Sequence, residues 1–144
     1  MITAIPKCLF LDAVETTPDD PFKVNELSHN MVEIVLNDNV YLDVSVTDRI
    51  DAALHRLGPD RKFYQLVIAN GPYVVNPEMR NAMSKGNAGI KLLGIAWVSP
   101  DEKANQEQER IVSTLTLPIP IRFFSNRDTG LQWLQELARP GTGP

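Results

Sequence analysis

The sequence predicts an α/β domain: a mixed sheet of about five strands with four helices, in the order β-β-α-β-α-β-α-β-α. Three observations carry this. Apolar residues alternate through 31–36 and 40–46 with the period of half-buried strands. Two nearly uninterrupted apolar runs, 63–69 and 90–98, have the length and composition of buried parallel strands. Between and after them stand strong helix-start signals, Asn76-Pro77-Glu78 and Ser99-Pro100-Asp101-Glu102.

The elements follow in order. Residues 1–30 read as an N-terminal arm or an extra strand. They hold Lys7 and Lys23 against Asp12, Glu15, Asp19, Asp20 and Glu26, and so carry three of the four net negative charges of the chain. Pro18-Asp19-Asp20-Pro21 breaks this stretch. Val32, Ile34 and Leu36 then alternate, Asn37-Asp38-Asn39 supplies turn residues, and Val40, Leu42, Val44 and Val46 alternate again. That pattern predicts a hairpin. A helix follows, capped by Ser45 or Thr47, with Ile50, Leu54 and Leu57 on one face and Gly58-Pro59 as its stop.

Phe63 to Ala69 reads as a central strand, interrupted only by Gln65. Asn70-Gly71-Pro72 ends it. The second helix opens with Asn76 as cap and turns Met79, Ala82 and Met83 inward, with Gly86 closing it. Ile90 to Val98 is the next buried strand, and Ser99 caps the third helix. Leu117-Pro118-Ile119-Pro120 forces an extended chain into an edge strand at 119–124. Leu131, Trp133, Leu134, Leu137 and Ala138 mark the last helix, and 139–144 reads as a disordered tail.

Composition narrows the function classes. The 144 residues are 43% hydrophobic and 22% charged, which suits one domain with a real core and excludes a disordered or fibrous chain. A net charge of −4 lacks the footprint of a nucleic-acid binder. No apolar run is long enough to span a membrane, and Cys8-Leu9-Phe10-Leu11 is too short for a signal peptide. The single cysteine, Cys8, has no partner within the chain for a disulfide. The expectation is a cytoplasmic protein.

The order and its cap positions resemble the STAS domain, the fold of the anti-sigma-factor antagonist SpoIIAA, over about residues 31–138. The likeness is greatest to the uncharacterised SpoIIAA-like bacterial proteins. It rests on the strand from Lys91 to Val98 running into Ser99-Pro100, and on Pro118 to Leu134 with Phe124, Leu131 and Trp133. The resemblance implies a regulatory domain switched by phosphorylation of a Ser or Thr at the start of the second helix. Residues 70–78 depart from it: Asn76 stands at the cap, and Tyr73 is the only hydroxyl.

No chemistry stands out. His29 and His55 have no metal-ligand spacing around them, and neither a glycine-rich phosphate loop nor a nucleophile elbow occurs. The carboxylates Asp101, Glu102, Glu107 and Glu109 read as a solvated helix face. The expectation is therefore a non-enzymatic domain with no catalytic residues, metal or cofactor. It would bind a protein partner of unknown identity, a second copy of the chain included, and neither nucleic acid nor membrane. In open α/β sheets binding falls outside the carboxyl ends of the strands. That rim holds Asn70, Gly71, Tyr73, Asn76, Glu78 and Ser99. The alternatives are a carrier or sensor of a small apolar ligand, with Met79 and Met83 as candidate lining, and a small enzyme.

Overall fold

A computed structural model describes residues 20–78, 92–117 and 119–139, and the backbone of Ala13 and Val14. Eight strands and three helices are seen among them: β1 (Ala13–Val14), β2 (Phe22–Ser28), β3 (Met31–Leu36), β4 (Val40–Leu42), α1 (Val44–Leu57), β5 (Phe63–Ile68), β6 (Tyr73–Val75), β7 (Leu92–Val98), α2 (Glu102–Val112), β8 (Ile121–Phe124) and α3 (Arg127–Ala138). Six strands form one mixed sheet in the order β1-β2-β3-β5-β7-β8, and β4 and β6 form a separate parallel pair.

The two long apolar runs are β5 and β7, both interior and parallel to their neighbours β3 and β8. The stretch ahead of residue 31 supplies an extra strand. β2 pairs antiparallel with β3 and buries Phe22 and Val24 in the core. The alternation places Val32, Ile34 and Leu36 on the same face as Val67 and Ile95, where α1 covers them with Val46, Ile50 and Leu54. Residues Leu66, Ile68, Ala96 and Val98 line the other face under Leu134 of α3.

The strand at 40–46 does not form a hairpin with β3. β4 stops at Leu42 and pairs in parallel with β6, while the hairpin partner of β3 is β2. The cause is Asp43. Its carboxylate accepts hydrogen bonds from the Val46 amide at 3.1 Å and the Ser45 hydroxyl at 2.6 Å, so it caps a helix in place of Ser45 or Thr47. The Ser45 hydrogen bond, then the Val46 amide, hold the Asp43 carboxyl below its usual range. Asn39 does take the positive φ expected of a turn, 61°, but its amide bonds to Pro72 O at 2.8 Å and ties the turn to the β5–β6 loop.

Four helices were expected, and three are described. The body of the second, after Glu78, lies outside the described residues. Asp101 rather than Ser99 caps α2, accepting from the Ala104 amide, and Asn126 caps α3 by accepting from Thr129.

Arg61 fastens the base of the sheet. Its guanidinium pairs with Glu26 at 2.6 Å, donates to Leu57 O at 3.3 Å and to His29 O, and lies over the Phe63 ring. The side chain runs so close to Gly58 that a Cβ there would stand 2.3 Å from Arg61 Cδ.

Candidate functional site

The rim is built where β5 and β7 end. After Ile68 the chain passes through Asn70, Gly71 and Pro72 into β6. Gly71 lies against the Asp38 carboxylate, and a Cβ would fall 2.3 Å from Asp38 Oδ1, so only glycine fits this approach without a shift. At the end of β7, Ser99 is fully buried. Its hydroxyl accepts from the Asp101 amide, and its carbonyl accepts from Asn105 Nδ2 at 2.9 Å. The same Asn105 amide reaches Phe124 O, which fixes the start of α2 to the ends of β7 and β8.

These turns enclose a recess of about 280 Å³. Asn70, Gly71, Tyr73 and Ser99 line it, together with Pro72, Asp101 and Ala104. Four of the six rim residues expected from sequence therefore meet in one place. Asn76 and Glu78 do not. Asn76 sits beyond β6, where its Oδ1 accepts from the Glu78 amide at 2.7 Å and its Nδ2 donates to the Tyr41 hydroxyl. Glu78 is exposed.

Tyr73 stacks at a tilt on Trp97, with ring centroids 5.3 Å apart. Burial raises the Tyr73 phenol above its ordinary value. The nearby Trp97 indole opposes that rise, and the charge of Asp101 adds to it. Tyr73 is therefore a neutral phenol at physiological pH. Yet Tyr73 Oη and Trp97 Nε1 are both buried without a well-formed hydrogen bond among the described residues. Their proximity falls short of a bond between them.

Two further features escaped the sequence reading. The first is the outer face of the β4–β6 pair. Val40 and Leu42 point inward, and Tyr41 and Val74, aligned across the pair, point out at 51% and 58% exposure. With Val44, the first residue of α1, they are the exposed large apolar side chains among the described residues. The second is an apolar cavity of about 90 Å³ between the sheet, α1 and α2, floored by Leu36, Val67, Ile95 and Phe123. Gln65 lines it too, and its place inside an apolar run was the one sequence signal for it.

Among the described residues no three His, Cys, Asp or Glu side chains converge to hold a metal. No described helix is long and apolar enough to cross a membrane. Glu107 pairs with Arg110 at 2.6 Å on the exposed side of α2, as a solvated face requires.

If Asn76 acts as a cap, Asn76→Ala should lower stability by about 0.5–2 kcal/mol in urea denaturation. A loss above about 3 kcal/mol would show that its bond to Tyr41 holds the rim as a whole.

No family model matches the sequence, and no curated protein does. Among solved structures the chain is similar to an uncharacterised protein of the DUF3478 family with a SpoIIAA-like fold, from Shewanella loihica PV-4. The identity is 12% and the TM-score 0.49, over 84% of this chain and 90% of that one.

Proposed function

We propose that this is a non-enzymatic regulatory domain that binds a partner protein through the outer face of β4–β6 and the adjoining rim at Asn76 and Glu78. The carrying observation is the placement of Tyr41 and Val74. A strand pair with an apolar inner face normally shows water a polar outer one, and here the outer positions are a tyrosine and a valine. Exposed apolar side chains that stand side by side and are edged by polar groups are the usual mark of a protein contact. Tyr41 has the chemistry of an interface anchor, a broad ring with a polar tip. Its hydroxyl is already held by Asn76, which limits the rotamer freedom lost on binding.

The family's phosphorylation switch does not enter this reading, because Asn76 offers no hydroxyl. The rim recess at Asn70, Gly71, Tyr73 and Ser99 supplies a second contact area.

The test is an affinity pull-down from native lysate, followed by binding measurements with the purified partner. Tyr41→Ser combined with Val74→Ser should weaken binding at least tenfold while the far-ultraviolet circular dichroism stays unchanged. Glu78→Lys should also weaken it, since reversing a charge within an interface is costly. Glu107→Lys, on the distant face of α2, should not. Equal binding by all four proteins would remove this face from the function.

A further inference from the structure

We infer that α2 is a lid on the rim: it lifts from the sheet as one unit, at far lower cost than global unfolding, and the Asn105 carboxamide is its latch. This goes beyond partner docking and rests on different residues.

The helix is thinly seated. Of its 11 residues only Asn105 is buried, and that residue is polar. Ala104, Gln108, Ile111 and Val112 are half-buried, and the rest face water. The other two helices sit on hydrocarbon: α1 buries Val46, Ile50, Ala53 and Leu54, and α3 buries Leu134. Packing of an apolar face supplies most of what holds a helix in a protein, so α2 has the weakest hold of the three. The cavity of about 90 Å³ deepens the contrast. Gln108 and Val112 line it, so on that side the helix meets a gap where packed side chains would hold it.

What remains is the latch. Asn105 Nδ2 donates to Ser99 O at 2.9 Å and to Phe124 O at 3.1 Å. Among the described residues these are the side-chain hydrogen bonds that tie α2 to the strand ends. The Asp101 cap and the Glu107–Arg110 pair lie within the helix and its first turn. The latch is incomplete. Asn105 is 7% exposed, and its Oδ1 is buried with no partner among the described residues. A buried acceptor without a donor forfeits its hydration, and lifting the helix restores it. Water then also takes over Nδ2 and both carbonyls. Closed and open forms thus exchange one set of hydrogen bonds for another, as a reversible latch requires.

The opening acts on the recess. Asp101 and Ala104, at the start of α2, form part of its wall. Ser99 is fully buried while Asn105 holds its carbonyl. With α2 lifted, that wall is gone and the carbonyls of Ser99 and Phe124 open to water. The position of the lid therefore sets whether the recess exists.

An 11-residue helix is marginal on its own in water, so lifting and melting go together and its amides report one event. Native-state hydrogen exchange on the full chain, labelled with nitrogen-15, reads that event at a series of low urea concentrations. The amides from Gln106 to Val112 should share one opening equilibrium, at least a hundredfold more favourable than that of β5 and β7. It should depend only weakly on urea, because little surface is exposed. Asn105→Ala should raise exchange throughout α2 at least tenfold, since the closed helix then covers two carbonyls that nothing pairs. Exchange in α3 should change less than twofold.

Three results would overturn the inference: α2 amides that exchange no faster than those of β5; rates that climb steadily from the helix centre to its ends, the mark of fraying; or unchanged α2 exchange in Asn105→Ala. The parent protein decides the first two even if Asn105→Ala does not fold. No partner is present in this measurement, and the Tyr41 and Val74 variants should leave α2 exchange unaltered, so the two readings fail separately.

Discussion

Leu134→Ala should destabilise the protein by about 2–5 kcal/mol, the range for emptying a fully buried leucine site. Leu134 is 0% exposed and is the one large apolar side chain of α3 that is completely buried. It sits with Leu66, Ile68, Ala96 and Val98, so truncation leaves a void beneath the helix that a sheet cannot collapse to fill. Van der Waals contacts are lost along with the buried area. The same helix brings Gly130 so close to the sheet that a Cβ there would stand 2.9 Å from Val98 Cγ2, which leaves little room for α3 to settle inward. A fall in Tm on the order of 10 °C is expected by calorimetry. Leu131→Ala, at a half-buried position on the same helix, should cost clearly less. Equal losses at the two positions would mean that α3 does not seat on the sheet through Leu134.

Arg61→Ala should cost about 2–4 kcal/mol in urea denaturation. The guanidinium replaces water around three groups at once: the Glu26 carboxylate and the carbonyls of Leu57 and His29. Arg61 and Glu26 are only 21% and 26% exposed, so the pair is shielded more than a surface ion pair, whose worth is typically under 1 kcal/mol. Hydrogen bonds to charged groups contribute about 1.5–3 kcal/mol when partly buried. The stacking on Phe63 adds to this. Arg61→Lys should recover less than half of the loss, because a point ammonium cannot fork between partners on two segments. A loss below about 0.5 kcal/mol for Arg61→Ala would show that the β2–β3 turn is held by its backbone alone.

Interior strands were legible in the sequence because burial on both faces leaves a continuous apolar run. Residues 63–69 and 90–98 correspond to β5 and β7 within two residues at each end. The false hairpin has an equally physical origin. Val40, Leu42 and Val46 are all buried, and their spacing of two and four is shared by a strand that runs into a helix. Only the capping geometry of Asp43 separates the two, and an aspartate after a strand is common in turns as well. β2 was obscured by its second half, where Asn25, Glu26 and Ser28 replace the apolar alternation begun by Phe22 and Val24.

Turn chemistry made part of the rim legible. Asn70, Gly71 and Ser99 follow the ends of β5 and β7, and strand ends of a parallel sheet share one side; Tyr73 opens β6, which the sequence reading did not separate. Asn76 and Glu78 belong to that side in sequence order, but β6 carries them out along the β4–β6 pair. Tyr41 and Val74 gave no warning, because a single apolar residue facing water is ordinary and only their alignment across two distant strands makes a patch. The cavity draws on the sheet and two helices, so nothing local encodes it beyond Gln65.

The position of β8 has a consequence for solubility. An outermost strand exposes a row of amide and carbonyl groups on which a strand from another molecule can template. β8 is only four residues long, and Pro120, directly before it, removes a donor from that row. Arg122 lies over the Phe124 and Trp133 rings and sets a positive charge on the strand. A sheet with apolar interior strands, which would aggregate readily if opened, thus ends at β8 in a short segment ill suited to intermolecular growth.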